Sequence, residues 1–461
     1  MWRPCVMKAL NRFNKTNILN YLSTVQLIVI FYVSAVLIST GLVSLPFLHR
    51  PGVDLSFIDG LFTAVSAVSV TGLTVVSTAD TFNTGGYFVL IFILQFGGIG
   101  IMTLGTFIWM VLGQKIGLRR RDLIKTDQNR ATFAGLVKLV KQILIIIVIT
   151  ELIGAVILGT YFISYFPTVP EAFMQGLFAS VSATTNAGFD ITGTSLIPFA
   201  DDYFVQVVNI ILLIFGSIGF PVLIEVKDFL LNKKGPMSRF SLFAKLTTTT
   251  YFTLMLLGAL FIFIFDRTHF FKDKAWHESF FYALFQSVTT RNGGLATMDV
   301  SEFTIPTLIV ICVLMFIGAS PSSVGGGIRT TTFAIAVLSI LTYARGKTNI
   351  RIFNREIHQE DIFRSFIVIH SAFMICALGV ILLNYFEPQF SLMEILFEVS
   401  SAFGTTGLSM GITSDLHTVG KLVIICLMFI GRIGIFSFLF LVRGQVIKDR
   451  YHYPKENVTI G

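Results

Sequence analysis

Four short segments carry residue types suited to holding an ion rather than breaking a covalent bond. FTAVSAVSVTGL (62–73), FASVSATTNAGF (178–189), LFQSVTTRNGGL (284–295) and FEVSSAFGTTGL (397–408) align without gaps. Each places an aromatic residue or Leu ten positions before a glycine. Those glycines, Gly72, Gly188, Gly294 and Gly407, follow one another at intervals of 116, 106 and 113 residues, so the chain reads as four copies of one unit about 110 residues long. A glycine supplies backbone freedom and close approach that a Cβ would block. Four such turns around one axis would present a ring of carbonyl oxygens, and rings of that kind replace the hydration shell of a monovalent cation.

The elements needed to position such a ring follow from composition. Only 60 of the 461 residues are charged, 54% are apolar and mean hydropathy is +0.78. Soluble domains run at about 25% charged, so the chain is expected in lipid, which excludes an ordinary cytosolic enzyme, a disordered chain and a disulfide scaffold. Apolar runs long enough to cross a bilayer occur near 22–46, 86–112, 137–164, 203–231, 242–265, 304–342, 362–386 and 418–443. Each aligned segment lies between two runs, so the unit is span, short re-entrant helix, glycine turn, span. Non-helical backbone at that depth is stable only where it lines a water-filled cavity or is buried in protein. Re-entrant helices aimed at the cavity by their partly negative C-termini favour a cation. A second signature follows each turn by about 25 residues: FGGIG (96–100), FGSIG (215–219), FIGAS (316–320) and FIGRIG (429–434). The expected fold is therefore an all-α polytopic membrane protein with four tandem repeats around one pseudo-fourfold pore. Its units are tails at 1–20 and 446–461 and repeats at 21–115, 116–235, 236–350 and 351–445.

Eight spans put both termini on one side. The tails and the links at 113–141, 227–245 and 329–364 together hold 27 of the 34 Lys and Arg, which places both termini in the cytoplasm of a plasma-membrane protein. The same topology puts 16 of the 26 acids outside, among them Asp54, Asp59, Asp80, Glu171, Asp190, Asp201, Asp202, Asp299, Glu302 and Asp415. Those acids would form a vestibule that concentrates cations, although acids also tolerate translocation for no functional reason. The net charge of +8 follows from topology and calls for no nucleic-acid partner.

The repeated residues resemble the Trk/Ktr/HKT potassium transporters, most closely the Ktr-type membrane subunit, over about residues 20–450. The resemblance implies a selectivity filter at Ser69, Val70, Thr71 and Gly72; at Thr185, Asn186, Ala187 and Gly188; at Arg291, Asn292, Gly293 and Gly294; and at Gly404, Thr405, Thr406 and Gly407. Potassium would be coordinated at Gly72, Gly188, Gly294 and Gly407. Asn292 and Gly293 depart from the Thr-Ala-like pair the pattern leads one to expect. In the related plant transporters a Ser at the first filter glycine goes with sodium transport, so Gly72 implies a preference for potassium, with sodium as a second candidate ion. The family gates with a flexible loop in the third inner span. Here that span reads FIGASPSSVGGGIRT (316–330). Pro321 removes a backbone donor and Gly325, Gly326 and Gly327 each disfavour helix by about 1 kcal/mol. Two half-helices joined by a polar loop containing Gly318, Ala319, Ser320, Pro321, Ser322 and Ser323 are expected.

Arg432 sits mid-span, where a charge costs several kcal/mol unless it faces the cavity or an acid. It resembles the family's basic barrier below the filter, and the alternative is a charge that neutralises a buried acid. Glu151 and Glu225 are candidates to cap or to pair with Lys141 or Lys227, and Glu398 with Arg291. Cys5, Cys312, Cys376 and Cys426 show no metal or disulfide spacing and read as structural thiols. A secondary cation carrier, as a symporter, and an intramembrane enzyme are the rival classes. Carriers favour repeats of opposite orientation, whereas these four enter from one side, and no nucleophile and base stand together within the spans. No organic cofactor is expected in this chain. The family further implies a homodimer in membrane lipid and a separate cytosolic nucleotide-binding ring, for which the basic stretches 113–141 and 345–364 are the available docking surfaces.

Overall fold

The computed structural model describes residues 24–100, 136–231 and 240–442, together with 454, 456 and 459. Cys5, both tails for the most part, the link up to residue 135 and the repeat boundaries at 20, 115, 235 and 445 lie outside the described residues. The first repeat comprises α1 (Thr24–Val43), the short helix α2 (Phe57–Ser69) and α3 (Thr84–Ile99). The second has α4 (Leu136–Phe162), the short α5 (Val169–Thr184), α6 (Tyr203–Ser217) and α7 (Phe220–Leu231). In the third, α8 (Leu242–Asp266) and the short α9 (Trp276–Thr289) precede α10 (Ile305–Ile317) and α11 (Thr330–Ala344). A two-residue hairpin, β1 (Arg351–Ile352) with β2 (Arg355–Glu356), leads to the fourth. That repeat holds α12 (Gln359–Phe386), the short α13 (Leu392–Gly404), α14 (Thr418–Ile433) and α15 (Ile435–Val442).

The four short helices are the centre of the molecule. Their inner turns are buried almost without exception, from Phe62 to Ser69 in α2 and from Phe397 to Gly404 in α13. Each begins with an acid three residues after its N-cap: Asp59 after Ser56, Glu171 after Thr168, Glu278 after Ala275 and Glu394 after Ser391. In the fourth repeat the capping is reciprocal, Ser391 N–H donating to Glu394 at 2.7 Å and Glu394 N–H to the Ser391 hydroxyl at 3.4 Å. The carboxylates of Glu278 and Glu394 accept their N-cap N–H groups at 3.0 and 2.7 Å, and all four acids complement the helix dipole. Asp202, Asp299 and Asp80 likewise serve the starts of α6 and of two short helical turns. Asp202 and Asp299 thus accept the first N–H groups of their helices, while Asp59, Asp80 and Glu171 lie in first turns where the dipole favours an acid.

Among the described residues four helices, α1, α4, α8 and α12, are long and apolar enough to cross a membrane unbroken, and their outward faces carry exposed Leu, Ile and Phe, as lipid requires. The inner spans differ from expectation. Only 304–342 is expected to break, and it does, but 203–231 and 418–443 also bend, by 105° and 103°. The cause is a glycine with positive φ at each break, Gly219 at +102° and Gly434 at +87°, with Gly100 at +90° ending α3 and Gly318 at +69° ending α10. A hydropathy window averages across one such residue and does not register it.

Candidate functional site

The four turns that follow the short helices meet in one ring. A Cβ built on Gly72 would lie 2.9 Å from the Cα of Gly188 and 2.6 Å from the Ala187 carbonyl oxygen. One on Gly188 would lie 2.9 Å from the Cα of Gly294; one on Gly294 would lie 3.4 Å from the Cα of Gly407 and 2.5 Å from the Thr406 oxygen; one on Gly407 would lie 2.9 Å from the Cα of Gly72. The ring therefore closes in chain order, and side chains are excluded from it by neighbouring backbone. All four glycines have positive φ, at +91°, +68°, +69° and +93°.

The residue two before each glycine is also left-handed: Val70, Asn186, Asn292 and Thr405, with φ of 55°, 50°, 74° and 51°. For the β-branched Val70 and Thr405 that conformation costs energy and persists only where surroundings impose it. What imposes it is the hydrogen bonding of the intervening residue. The N–H groups of Thr71, Ala187, Gly293 and Thr406 turn back to the carbonyls of Ser66, Ser182, Thr289 and Ser401, at 2.8, 2.7, 2.7 and 2.9 Å. The Gly72 and Gly407 N–H groups donate to the Ser66 and Ser401 hydroxyls at 3.1 and 3.0 Å. With the donors committed to the short helices, the carbonyls are left over. Among the described residues, none of the carbonyls of 70–72, 186–188, 292–294 or 405–407 accepts a backbone N–H. Four helix C-termini end at this ring, so its potential is negative; among the described residues the Thr405 carbonyl accepts from Asn292 Nδ2 at 3.0 Å, and the other buried carbonyl dipoles need a cation to compensate their desolvation.

The first residue of each quartet serves the turn differently. Ser69 and Thr185 bond back to Val65 and Val181, at 2.6 and 2.7 Å, while Gly404 ends α13 against the Met315 carbonyl. Arg291 is fully buried, and its guanidinium reaches the carbonyls of Leu314 and Gly318, both at 3.4 Å, at the end of α10. The expected Arg291–Glu398 pair does not form, because Glu398 instead accepts from the Thr413 hydroxyl. Glu151 accepts from Gln95 at 2.7 Å rather than pairing with Lys141. Glu225 accepts from Ser241 N–H and Oγ, at 2.9 and 2.7 Å, tying α7 to the start of α8 rather than to Lys227.

Residues 318–329 run non-helically between α10 and α11 and lie against the ring. One flank is tied to the break of the second repeat: Ser320 N–H to Ser217 O at 3.1 Å, Val324 N–H to Gly216 O at 3.1 Å, and Phe220 N–H to Ser322 O at 2.9 Å. Gly325 and Gly326 reach Asn292 and Thr405 of the ring. Pro321, Ser322, Ser323 and Gly327 also line a cavity of about 1480 Å³, as do Arg329 and Arg432. Arg432 Nη2 donates to the Gly97 carbonyl in the last turn of α3, where Gly97 packs against Val70. Arg329, which the motif reading passes over, donates to the Ser320 and Gly325 carbonyls and so braces the loop from within. Its signal was available as the first charged residue after three glycines. Cys312, Cys376 and Cys426 are free thiols on α10, α12 and α14.

A family profile described as "TrkH: Cation transport protein" matches residues 4–451. The chain is 56% identical over 440 residues to "Ktr system potassium uptake protein D" of Bacillus subtilis, covering 95% of this chain and 98% of that one. It is 36% identical to "Ktr system potassium uptake protein B" of the same organism, covering 95% and 96%. To "Potassium/sodium uptake protein NtpJ" of Enterococcus hirae it is 34% identical, covering 97% and 99%. The crystal structure of the potassium transporter TrkH from Vibrio parahaemolyticus superposes with a TM-score of 0.70 at 21% identity, covering 89% of this chain and 84% of that one, a likeness of fold.

Proposed function

The chain belongs to the TrkH cation transport protein family, and from that premise we propose that it takes up potassium across the cell membrane through one selective pore. The carrying observation is the closed ring of Gly72, Gly188, Gly294 and Gly407, whose carbonyls lack backbone donors. In this reading residues 69–72, 185–188, 291–294 and 404–407 are the filter, residues 318–327 are the gate, and Arg432 is an electrostatic barrier beneath it. The repeats run 21–115, 116–235, 236–350 and 351–445, with both termini in the cytoplasm. The relatives' names speak of potassium and of potassium with sodium, which supports potassium as the transported ion and sodium as a second ion. The words "Ktr system" support a partner subunit. We take that partner to be a cytosolic nucleotide-binding ring docking on the basic stretches at 113–141 and 345–364, with the membrane subunit a homodimer. Expression in a cell lacking potassium uptake, with and without such a partner, tests the reading: growth at low potassium is expected, and absence of growth from a chain present in the membrane overturns it.

A further inference from the structure

The loop under the ring is held on its two flanks by different chemistry. Toward the second repeat it is held by three backbone hydrogen bonds. Toward the filter it is held by one side chain. The Thr405 hydroxyl accepts the Gly326 N–H at 2.8 Å and also accepts from Asn292 Nδ2 at 2.9 Å. Asn292 Nδ2 also donates to the carbonyls of Thr405, at 3.0 Å, and of Gly404. Both side chains are fully buried, and both belong to the left-handed positions of the third and fourth filter turns. The loop's tip is shaped to them. A Cβ on Gly325 would lie 2.5 Å from Asn292 Oδ1, and one on Gly326 would lie 2.7 Å from Thr405 Oγ1 and 2.9 Å from the Gly431 carbonyl. Asn292 Oδ1 is itself buried without a hydrogen-bond partner in this arrangement, so the closed contact carries an unsatisfied acceptor.

We propose that Asn292 and Thr405 form a latch, in which two filter residues hold the Gly325–Gly326 tip of the loop against the ring and so couple the position of the loop to the conformation of the filter. The inference rests on the reading of the loop as a gate and adds the residues that keep it shut. The second repeat does not supply this contact, although Asn186 occupies the equivalent position: the loop meets that repeat through backbone at Gly216 and Ser217. In the first repeat the equivalent residue is Val70, which has no hydroxyl to offer. The latch is therefore confined to one side of the ring, and the loop can swing from the backbone-tied flank as from a hinge. Release at the filter side exposes the loop to the cavity that Arg329 and Arg432 line.

Thr405 and Asn292 are positioning residues in this account, and the test reads the loop directly. Val324, in the loop and 1% exposed, is replaced by cysteine in a chain whose four native cysteines are alanine. Its reaction with a charged methanethiosulfonate is timed in proteoliposomes. Thr405→Val removes the hydroxyl and keeps the β-branch, and Val70 shows that valine is accommodated in this backbone conformation. One buried hydrogen bond corresponds to roughly a five-fold change in an equilibrium, so modification is expected to accelerate by about five-fold or more in Thr405→Val. It is expected to return to the parent rate in Thr405→Ser, which restores the hydroxyl. Gly325→Ala approaches the contact from the loop side, where its Cβ would meet the Asn292 side chain, and should likewise accelerate modification. Unchanged rates in both Thr405→Val and Gly325→Ala overturn the latch, as does a Thr405→Ser variant that reacts as fast as Thr405→Val. Potassium flux of the parent in the same vesicles is scored separately: absent flux would defeat the transport reading, whereas cysteine reactivity reports the latch either way.

Discussion

At the scale of single residues, a charge lining a cavity is the clearest case in which magnitude decides mechanism. Arg432 donates to the Gly97 carbonyl and faces the inner cavity. A guanidinium about 7 Å from a permeating cation repels it by about 2 kcal/mol at an effective dielectric near 20, which slows flux several tens-fold. Arg432→Ala is therefore expected to raise potassium flux by that order with little loss of thermal stability; a variant that is destabilised and slower would make the residue a structural brace. The sequence exposed Arg432 because a lone charge in an apolar run is conspicuous. It did not expose the partners of Arg291 or Glu398. Their burial is legible from position, but which carbonyl or hydroxyl satisfies them depends on where α10 and the 409–417 loop come to rest.

At the scale of elements, the broken third inner span was legible because Pro321 and three glycines stand together. The breaks at Gly219 and Gly434 were not read out, although Gly216 and Pro221 stand beside the first and Gly431 beside the second, because the hydropathy of both runs continues unbroken across them. Shortening the loop by deleting Pro321–Gly326 is expected to raise flux and to lessen dependence on a regulatory partner, as measured by uptake with and without that partner; lower flux from a folded variant would make the segment structural. Capping has its own test. Asp202 loses hydration where it sits, but the Tyr165 and Tyr161 hydroxyls and the Val205 and Phe204 N–H groups outweigh that loss and hold its carboxyl below the usual range. A depressed carboxylate contributes stability that is present above the ordinary value of about 4 and is lost as pH falls through the folded value. The melting temperature should thus drop on acidification below about pH 4 in the parent and drop less in Asp202→Asn. Equal acid sensitivity of the two would show that these hydrogen bonds do not matter to stability.

At the scale of the whole molecule, four copies in one chain must close on themselves, and the seam is where the first and fourth repeats meet. Helix α14 packs on α2 there, and Lys421 Nζ bonds Asp59 at 2.7 Å with both side chains mostly buried. Lys421→Ala is expected to cost about 1 kcal/mol and to lower the melting temperature. In a double-mutant cycle with Asp59→Ala, an interaction energy near zero would remove the ion pair from the account of closure. The fourfold plan itself could be read from glycine spacing, because a repeat imposes the same backbone demand at each turn. The order of contacts around the ring could not, since spacing alone does not say which turn neighbours which. The most direct measurement is the potassium-to-sodium flux ratio of the purified chain in proteoliposomes, taken for the parent and for single Gly→Ser variants at Gly72, Gly188, Gly294 and Gly407. The account predicts a potassium preference in the parent that each substitution weakens, because every added Cβ meets neighbouring backbone; an undiminished preference in all four variants would contradict it.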